Sequence, residues 1–336
     1  MTSLTVIIPT KNRVNFLKNL LCYYSEEKAQ FKILILDSST NEELKKNKIN
    51  IKNIKNLKIT HISIIGKAHE VVKKCRKFII TKYCCLTGDD DYLYAKNIKY
   101  FIQFLEKNKS FAGAGGTSYL VRPYKNTFSL KKYNSTNLTH TNAFLRCSQH
   151  LKNYTTPQFS ICKTKYFSEI IQTLDKKRYP HDIIYDEMVL NVSLVCYGKF
   201  KNLQKTHLFR LIGHETNNIS KNSTEELLHI SKKNMILYLE KLILKIDNKN
   251  HINLREEFSK LFKKWQISKK NIQGINFTIK KYNFKESRIF YYLCKYLFIS
   301  TLKPIDQNIQ FLTKEQILNN ISISKDIKIF IRNIKV

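Results

Sequence analysis

Along its first hundred residues the chain repeats one rhythm: a short run of β-branched and apolar residues, a polar or glycine-bearing turn, then a stretch with apolar residues three and four apart. Thr5 to Ile8 is the first run, closed by Pro9, and Phe16, Leu17, Leu20, Leu21 and Tyr24 follow at helical spacing. Phe31 to Leu36 is the second, stopped by Asp37, Ser38, Ser39 and Thr40, a polar cluster placed to cap a helix beginning near Glu42. A third run, Lys58 to Ile65, ends at Gly66. A helical stretch from Ala68 to Thr81 then leads to a fourth run, Tyr83 to Leu86, which ends at Gly88, Asp89, Asp90 and Asp91. Strands alternating with helices at this spacing predict an α/β fold with a mostly parallel, Rossmann-like sheet covered by helices on both faces.

Further along, the pattern predicts a helix from Ala95 to Lys107 and a strand from Ser118 to Val121. A polar stretch without period then runs to about Asn153 and reads as an inserted loop region. Phe159 to Cys162 reads as a strand and Tyr166 to Leu174 as a helix. A second helix, Tyr185 to Tyr197, stops at Gly198, the residue type that ends helices in the left-handed conformation. From Ser223 the chain is helical and rich in lysine. A boundary within Asn217 to Asn222 would separate a catalytic domain, 1–220, from a helical C-terminal region, 221–336.

This order has a positional consequence. Open α/β sheets bind ligands outside the carboxyl ends of their strands. Those ends carry the Pro9, Thr10, Lys11, Asn12, Arg13 segment, the Asp37–Ser38 pair, the Gly66–Lys67 pair and the three consecutive aspartates, so four segments should converge on one edge.

Composition changes this picture little. With 336 residues, 43% of them hydrophobic, the chain can bury a large core. A formal charge of +33 would draw polyanions, but residues 221–336 carry 23 Lys+Arg and 10 Asp+Glu, so the excess is spread nearly evenly. An even excess reads as a compositional habit, which puts nucleic acid second among partners. The eight cysteines include no C-x-x-C pair, and the N-terminus lacks a signal-peptide pattern; both point to a cytoplasmic chain with reduced thiols. The apolar run Ile289 to Leu302 is interrupted by Lys295 and falls short of the ~20 residues that cross a bilayer. Its rings around Lys295 fit either a helix buried in a core or against a second subunit, in a homodimer, or one lying in the headgroup layer of an anionic membrane.

Three adjacent carboxylates at a strand end raise one another's proton affinity unless a cation neutralises them. An i, i+2 pair such as Asp89 and Asp91 suits Mg²⁺ or Mn²⁺, which take one or two carboxylates with phosphate oxygens and waters; a solvated acidic turn is the alternative. Asp186 and Glu187, at the start of the helix ending at Gly198, suit a general base, although acids in a first helical turn are also favoured by the helix dipole. The fingerprints G-x-x-x-x-G-K-[ST], G-x-G-x-x-G and G-x-S-x-G are all missing.

The opening TVIIPTKNRVNFL and the block CCLTGDDDYL, in this order and spacing, resemble family 2 glycosyltransferases of the GT-A fold, of the bacterial surface-glycan type. The resemblance is clearest over residues 4–105 and fades by about 220. It implies transfer of a sugar from a nucleotide sugar, a UDP-sugar by preference, to a glycan or lipid-linked hydroxyl acceptor in polysaccharide biosynthesis. It places Pro9, Thr10 and Arg13 along the nucleotide pocket, Asp37 and Ser38 beside base and ribose, and Lys67 against the nucleotide. Asp89 and Asp91 would frame the D-x-D around Asp90, with Asp91 the firmest ligand of Mn²⁺ or Mg²⁺. Glu187, ahead of Asp186, would be the base of an inverting transfer. In THLFRLIGHETNNIS, Arg210 would face the diphosphate and His214 would complete the metal site. Ser38 departs from the pattern, since many relatives carry a second acid there, and this leaves the base open. A nucleotidyltransferase with similar strand-end carboxylates, or a basic nucleic-acid-binding protein, are the competing readings.

Overall fold

In a computed structural model, residues 3–66, 68–124, 127–134, 137–152, 155–176, 183–212, 225–247, 253–261, 263, 311–319 and 323–334 are described. Four strands, β1 (Leu4–Thr10), β2 (Lys32–Asp37), β3 (Lys58–Ser63) and β4 (Tyr83–Leu86), lie parallel in the order β4-β1-β2-β3. The inner strands are continuous apolar runs because helices cover both of their faces. Ile7, Ile8, Leu34 and Leu36 are wholly buried, each worth about 2 kcal/mol by removal from water. β3 closes one edge, with Lys58, Thr60 and Ser63 turned outward.

The other half of the sheet is largely antiparallel. β5 (Asp91–Leu93), β6 (Phe111–Tyr124), β7 (Thr127–Asn134), β8 (Ile161–Lys163), β9 (Lys199–Leu211) and β10 (Phe311–Thr313) complete ten strands in the order β10-β7-β6-β8-β4-β1-β2-β3, with β9 paired to β5 and β6. The sheet is flanked by α1 (Val14–Glu26), α2 (Asn41–Lys52), α3 (Ala68–Lys73), α4 (Ile98–Lys107), α5 (Ala143–Lys152), α6 (Thr164–Lys176), α7 (Ile183–Tyr197) and α8 (Glu225–Ile246).

Several local expectations are corrected. The stretch read as an inserted loop contains β7 and α5. Its period was masked because α5 turns Arg146 and His150 inward, both buried, with the Arg146 guanidinium donating to the carbonyls of Val195 and Cys196 at 2.9 and 2.7 Å. The strand expected at Ser118 to Val121 is the middle of the longer β6. The helix expected to run to Thr81 stops at Lys73 and tightens into a 3₁₀ turn, Lys74–Phe78, that buries Cys75. Thr40 stands at the N-cap of α2 but makes no capping bond with its side chain. Gly198 is not in the left-handed region; what suits glycine there is close packing, since a Cβ would stand 3.0 Å from Ala112 N and Ser110 O.

Residues beyond 221 add to the same cores. Met235, Leu239 and Ile243 of α8, with Leu254 and Phe258 of the helix 254–261, pack with α5 and α7. On the opposite flank, Phe330 of the helix Lys325–Asn333 stacks on Phe209 of β9 at 4.2 Å and meets Tyr23 and Tyr92 edge-on. The boundary segment 217–222 and the aromatic run 289–302 lie outside the described residues. Among the described residues, no helix is long and apolar enough to cross a membrane, and the cysteines are free.

Candidate active site

The register of the parallel strands puts Thr10 beside Asp37 and Asp37 beside Ser63, while Leu86 of β4 pairs with Ile7. The turns after β1, β2 and β4 therefore leave the sheet on one edge. Pro9 is half-buried near the end of β1, and Thr10, which follows it, is buried. The Thr10 hydroxyl donates to Asp89 Oδ2 at 2.7 Å. Arg13, just before α1, reaches across with both terminal nitrogens, NH1 to Asp89 Oδ1 at 2.9 Å and NH2 to Asp90 Oδ2 at 2.7 Å, and its guanidinium lies over the Phe16 ring at 4.2 Å. A cleft of about 330 Å³ opens beside it, lined by residues 12–16 with Glu43 and Lys46.

The third aspartate has a separate partner. Asp91 opens β5 and pairs in register with Arg210 of β9, whose Nε donates to Asp91 Oδ1 at 2.9 Å. The guanidinium of Arg210 also donates to the Tyr133 hydroxyl and covers the Phe159 ring at 4.4 Å. Asp91 Oδ2 accepts the Gly88 amide at 3.2 Å. Gly88 makes this fold-back feasible, since a Cβ there would lie 2.6 Å from Asp90 Oδ1 and 3.1 Å from Asp91 Oδ2.

Charge is not balanced by these pairings. Burial pushes the Asp89 carboxyl up to about 7, with Asp90 and Asp91 adding to it against the pull of Arg13 and the Thr10 hydroxyl. Burial likewise raises Asp91, opposed by Arg210 and reinforced by Asp90. All six carboxylate oxygens are hard donors, which fits Mg²⁺ or Mn²⁺ in chemical class. Among the described residues no three His, Cys, Asp or Glu side chains converge as a ligand set, so a cation here would rest on one or two carboxylates with phosphate oxygens and water.

Asp37 behaves differently. It is wholly buried, and its carboxylate accepts from Ser39 N at 2.9 Å, Asn47 Nδ2 at 2.8 Å and His61 Nε2 at 3.0 Å. Burial would raise its proton affinity, but the bonds from His61, Ser39 and Asn47 outweigh it and hold the carboxyl below its ordinary value. Ser38 donates to Thr10 O through both its amide, at 3.0 Å, and its hydroxyl, at 3.3 Å.

α7 leads into β9, which runs parallel to β6 and, through β8, parallel to β4, so the first turn of α7 stands at the strand-end edge. Glu187 is exposed there. Its carbonyl accepts from Asn191 Nδ2 at 2.9 Å, and Asn191 Oδ1 accepts from the Gln158 amide at 2.9 Å, next to the Phe159 ring that lies under Arg210. Asp186 belongs to α7, its side chain outside the described residues, as are Lys67 and His214 altogether. His207, by contrast, is a core residue: burial lowers it to about 4, and its Nε2 meets the Phe159 carbonyl at 2.6 Å.

Sequence reasoning placed Asn12 only as one residue of the turn after β1 and missed Asn47, His61, Tyr133 and Phe159. Only Asn12 had a local signal, its place in the turn after β1, where it adopts φ 54°. The others reach the site through strand register and packing.

No protein-family model and no curated protein sequence matches the chain. Among solved structures, S. aureus TarS 1–349 superposes with a TM-score of 0.51 at 16% identity, over 82% of this chain and 78% of that one. TarS 1–349 in complex with UDP-GlcNAc gives a TM-score of 0.51 at 14% identity, over 79% and 72%. A longer TarS structure gives 0.50 at 14% identity over 79% of this chain, which spans 43% of that one. The fold is that of a GT-A-type glycosyltransferase.

Proposed function

We propose that the chain is a glycosyltransferase that moves a sugar from a nucleotide-sugar donor, a UDP-sugar by preference, to a hydroxyl of a glycan or lipid-linked acceptor. The observation that carries this reading is the convergence of Thr10, Arg13, Asp89, Asp90, Asp91 and Arg210 on the carboxyl edge of the parallel strands. The crystallisation of TarS, which shares the fold, with UDP-GlcNAc supports it.

In this reading Asp91 and Asp89 would be the residues that hold Mg²⁺ or Mn²⁺ beside the donor diphosphate. The cation, when bound, neutralises charge on the leaving diphosphate. Arg210 and Arg13 supply the protein's own positive charge at the same place, Arg210 kept in position by Phe159 and Tyr133 and Arg13 by Phe16. Glu187, with Asp186 as the alternative, takes the proton from the acceptor hydroxyl, and displacement inverts the anomeric carbon. An anionic cluster sunk in a basic body favours an enzyme over a nucleic-acid binder, which needs a contiguous cationic face. Melting curves with a panel of nucleotide sugars, with and without Mn²⁺, followed by product analysis test the proposal. A donor-specific rise in melting temperature and a glycosylated acceptor are expected. Transfer of the nucleotide itself, or stabilisation by nucleic acid alone, overturns it.

A further inference from the structure

The turns after β1 and β2 are joined by a polar network that runs back into the core. Asn12 donates its amide to Ser39 Oγ at 2.8 Å and accepts the Thr40 amide on its Oδ1 at 2.8 Å, while Ser38 is tied twice to the Thr10 carbonyl. Asn12 does so at φ 54°, a left-handed conformation that asparagine tolerates better than most residues. Ser39 in turn is held through its amide by Asp37, which is gripped by Asn47 and His61.

Asn47 shows that this grip has a purpose beyond filling space. It is the one buried residue of α2, a place where an apolar side chain would pack at no polar cost. Its Oδ1 is buried without a hydrogen-bond partner, so the side chain is kept for the bond that Nδ2 gives Asp37. His61 comes from β3, opposite Ile35 in register, and adds the third donor.

We infer that Asp37, Asn47 and His61 form a positioning clasp for the donor nucleotide. They do not touch it; through Ser39 and Asn12 they set the geometry of the two turns that would receive it, and through Asn12 that of the adjoining Arg13. The assignment of Asp37 as a direct contact of base or ribose is thereby replaced, because its carboxylate is already saturated from within. The inference rests on the donor-site reading proposed above.

The test uses the full chain with UDP as the probe, in wild type, His61→Leu and His61→Gln, the glutamine restoring a donor. His61→Leu is expected to weaken UDP binding in titration calorimetry about tenfold, and to raise KM for the donor by a like factor, while kcat at saturating donor stays within about twofold. His61→Gln should recover most of the loss. Hydrogen exchange at the amides of Ser38, Ser39 and Thr40 should quicken in His61→Leu, with β4 unchanged. If His61→Leu does not fold, Asn12→Ala, on the exposed side of the network, must show the same split between KM and kcat. A folded His61→Leu chain that binds UDP as wild type does, with unchanged exchange, overturns the clasp alone. A wild-type chain that binds no UDP overturns the donor-site reading and the clasp with it.

Discussion

Two strand ends in this sheet carry buried aspartate, and they are built to opposite rules. After β2, the Asp37 carboxylate accepts bonds from Ser39, Asn47 and His61, and its proton affinity falls. After β4, Asp89 and Asp91 each have an arginine, and their proton affinity still rises, because burial and neighbouring acids outweigh the pairing. A carboxylate at rest in its own hydrogen bonds serves as an anchor. Carboxylates that remain over-charged with their arginines in place mark where another positive group is wanted, and strongly perturbed groups of that kind gather at working sites.

The widest break in this comparison comes from Asp91→Asn. It keeps shape and removes charge, so transfer should fall about 10³-fold with little loss of fold. A fully active Asp91→Asn enzyme, in initial-rate assays, would remove the cation site from this edge. Next, Glu187→Gln should lower turnover roughly 10²-fold while donor affinity, by calorimetry, stays unchanged. Loss of donor binding instead would move the base to Asp186 or elsewhere.

On the anchoring side the readout changes from rate to stability. Asp37→Asn should cost about 2 kcal/mol in urea unfolding, as a buried network loses its charge and exchanges one acceptor oxygen for a donor that faces other donors. Its pH dependence has a definite sign. Asp37 binds its proton less readily folded than unfolded, so its contribution is present above the unfolded value and lost as pH falls through the folded one. The difference in stability between wild type and Asp37→Asn should therefore shrink on acidification below about pH 4. A difference that grows would reverse the assignment. Asp90→Asn completes the series with the mildest effect, tenfold or less in rate, because Arg13 keeps its bond to Asp89.

Much of this was legible from residue order. Strand-end polar groups are local features, so Pro9, Thr10, Asp37 and the three aspartates could be placed on one edge from the rhythm of β1, β2 and β4. The pairings among them could not. Arg210 meets Asp91 across a sequence separation of 119, and His61 meets Asp37 across 24, through registers that no spacing reveals. Among the aspartates, Asp37 reads in sequence just like a ligand contact, and it is the three donors on its carboxylate that motivate the positioning role inferred above. The antiparallel half was the least legible, since α5 buries Arg146 and His150 beside its apolar residues Ala143, Phe144, Cys147 and Leu151, which blurs the periodicity.

The aromatic stack behind the antiparallel β5–β9 pair bears on how the protein is made. Asp91 and Arg210 sit on strands whose rear face is covered by Phe330, from a helix that leaves the ribosome long after both. At about 5–20 residues per second, a nascent chain spends seconds with Tyr23, Tyr92 and Phe209 lacking that lid. Completion of this part of the core is then a late event of synthesis, and the half-built sheet is the form that a holding chaperone would meet.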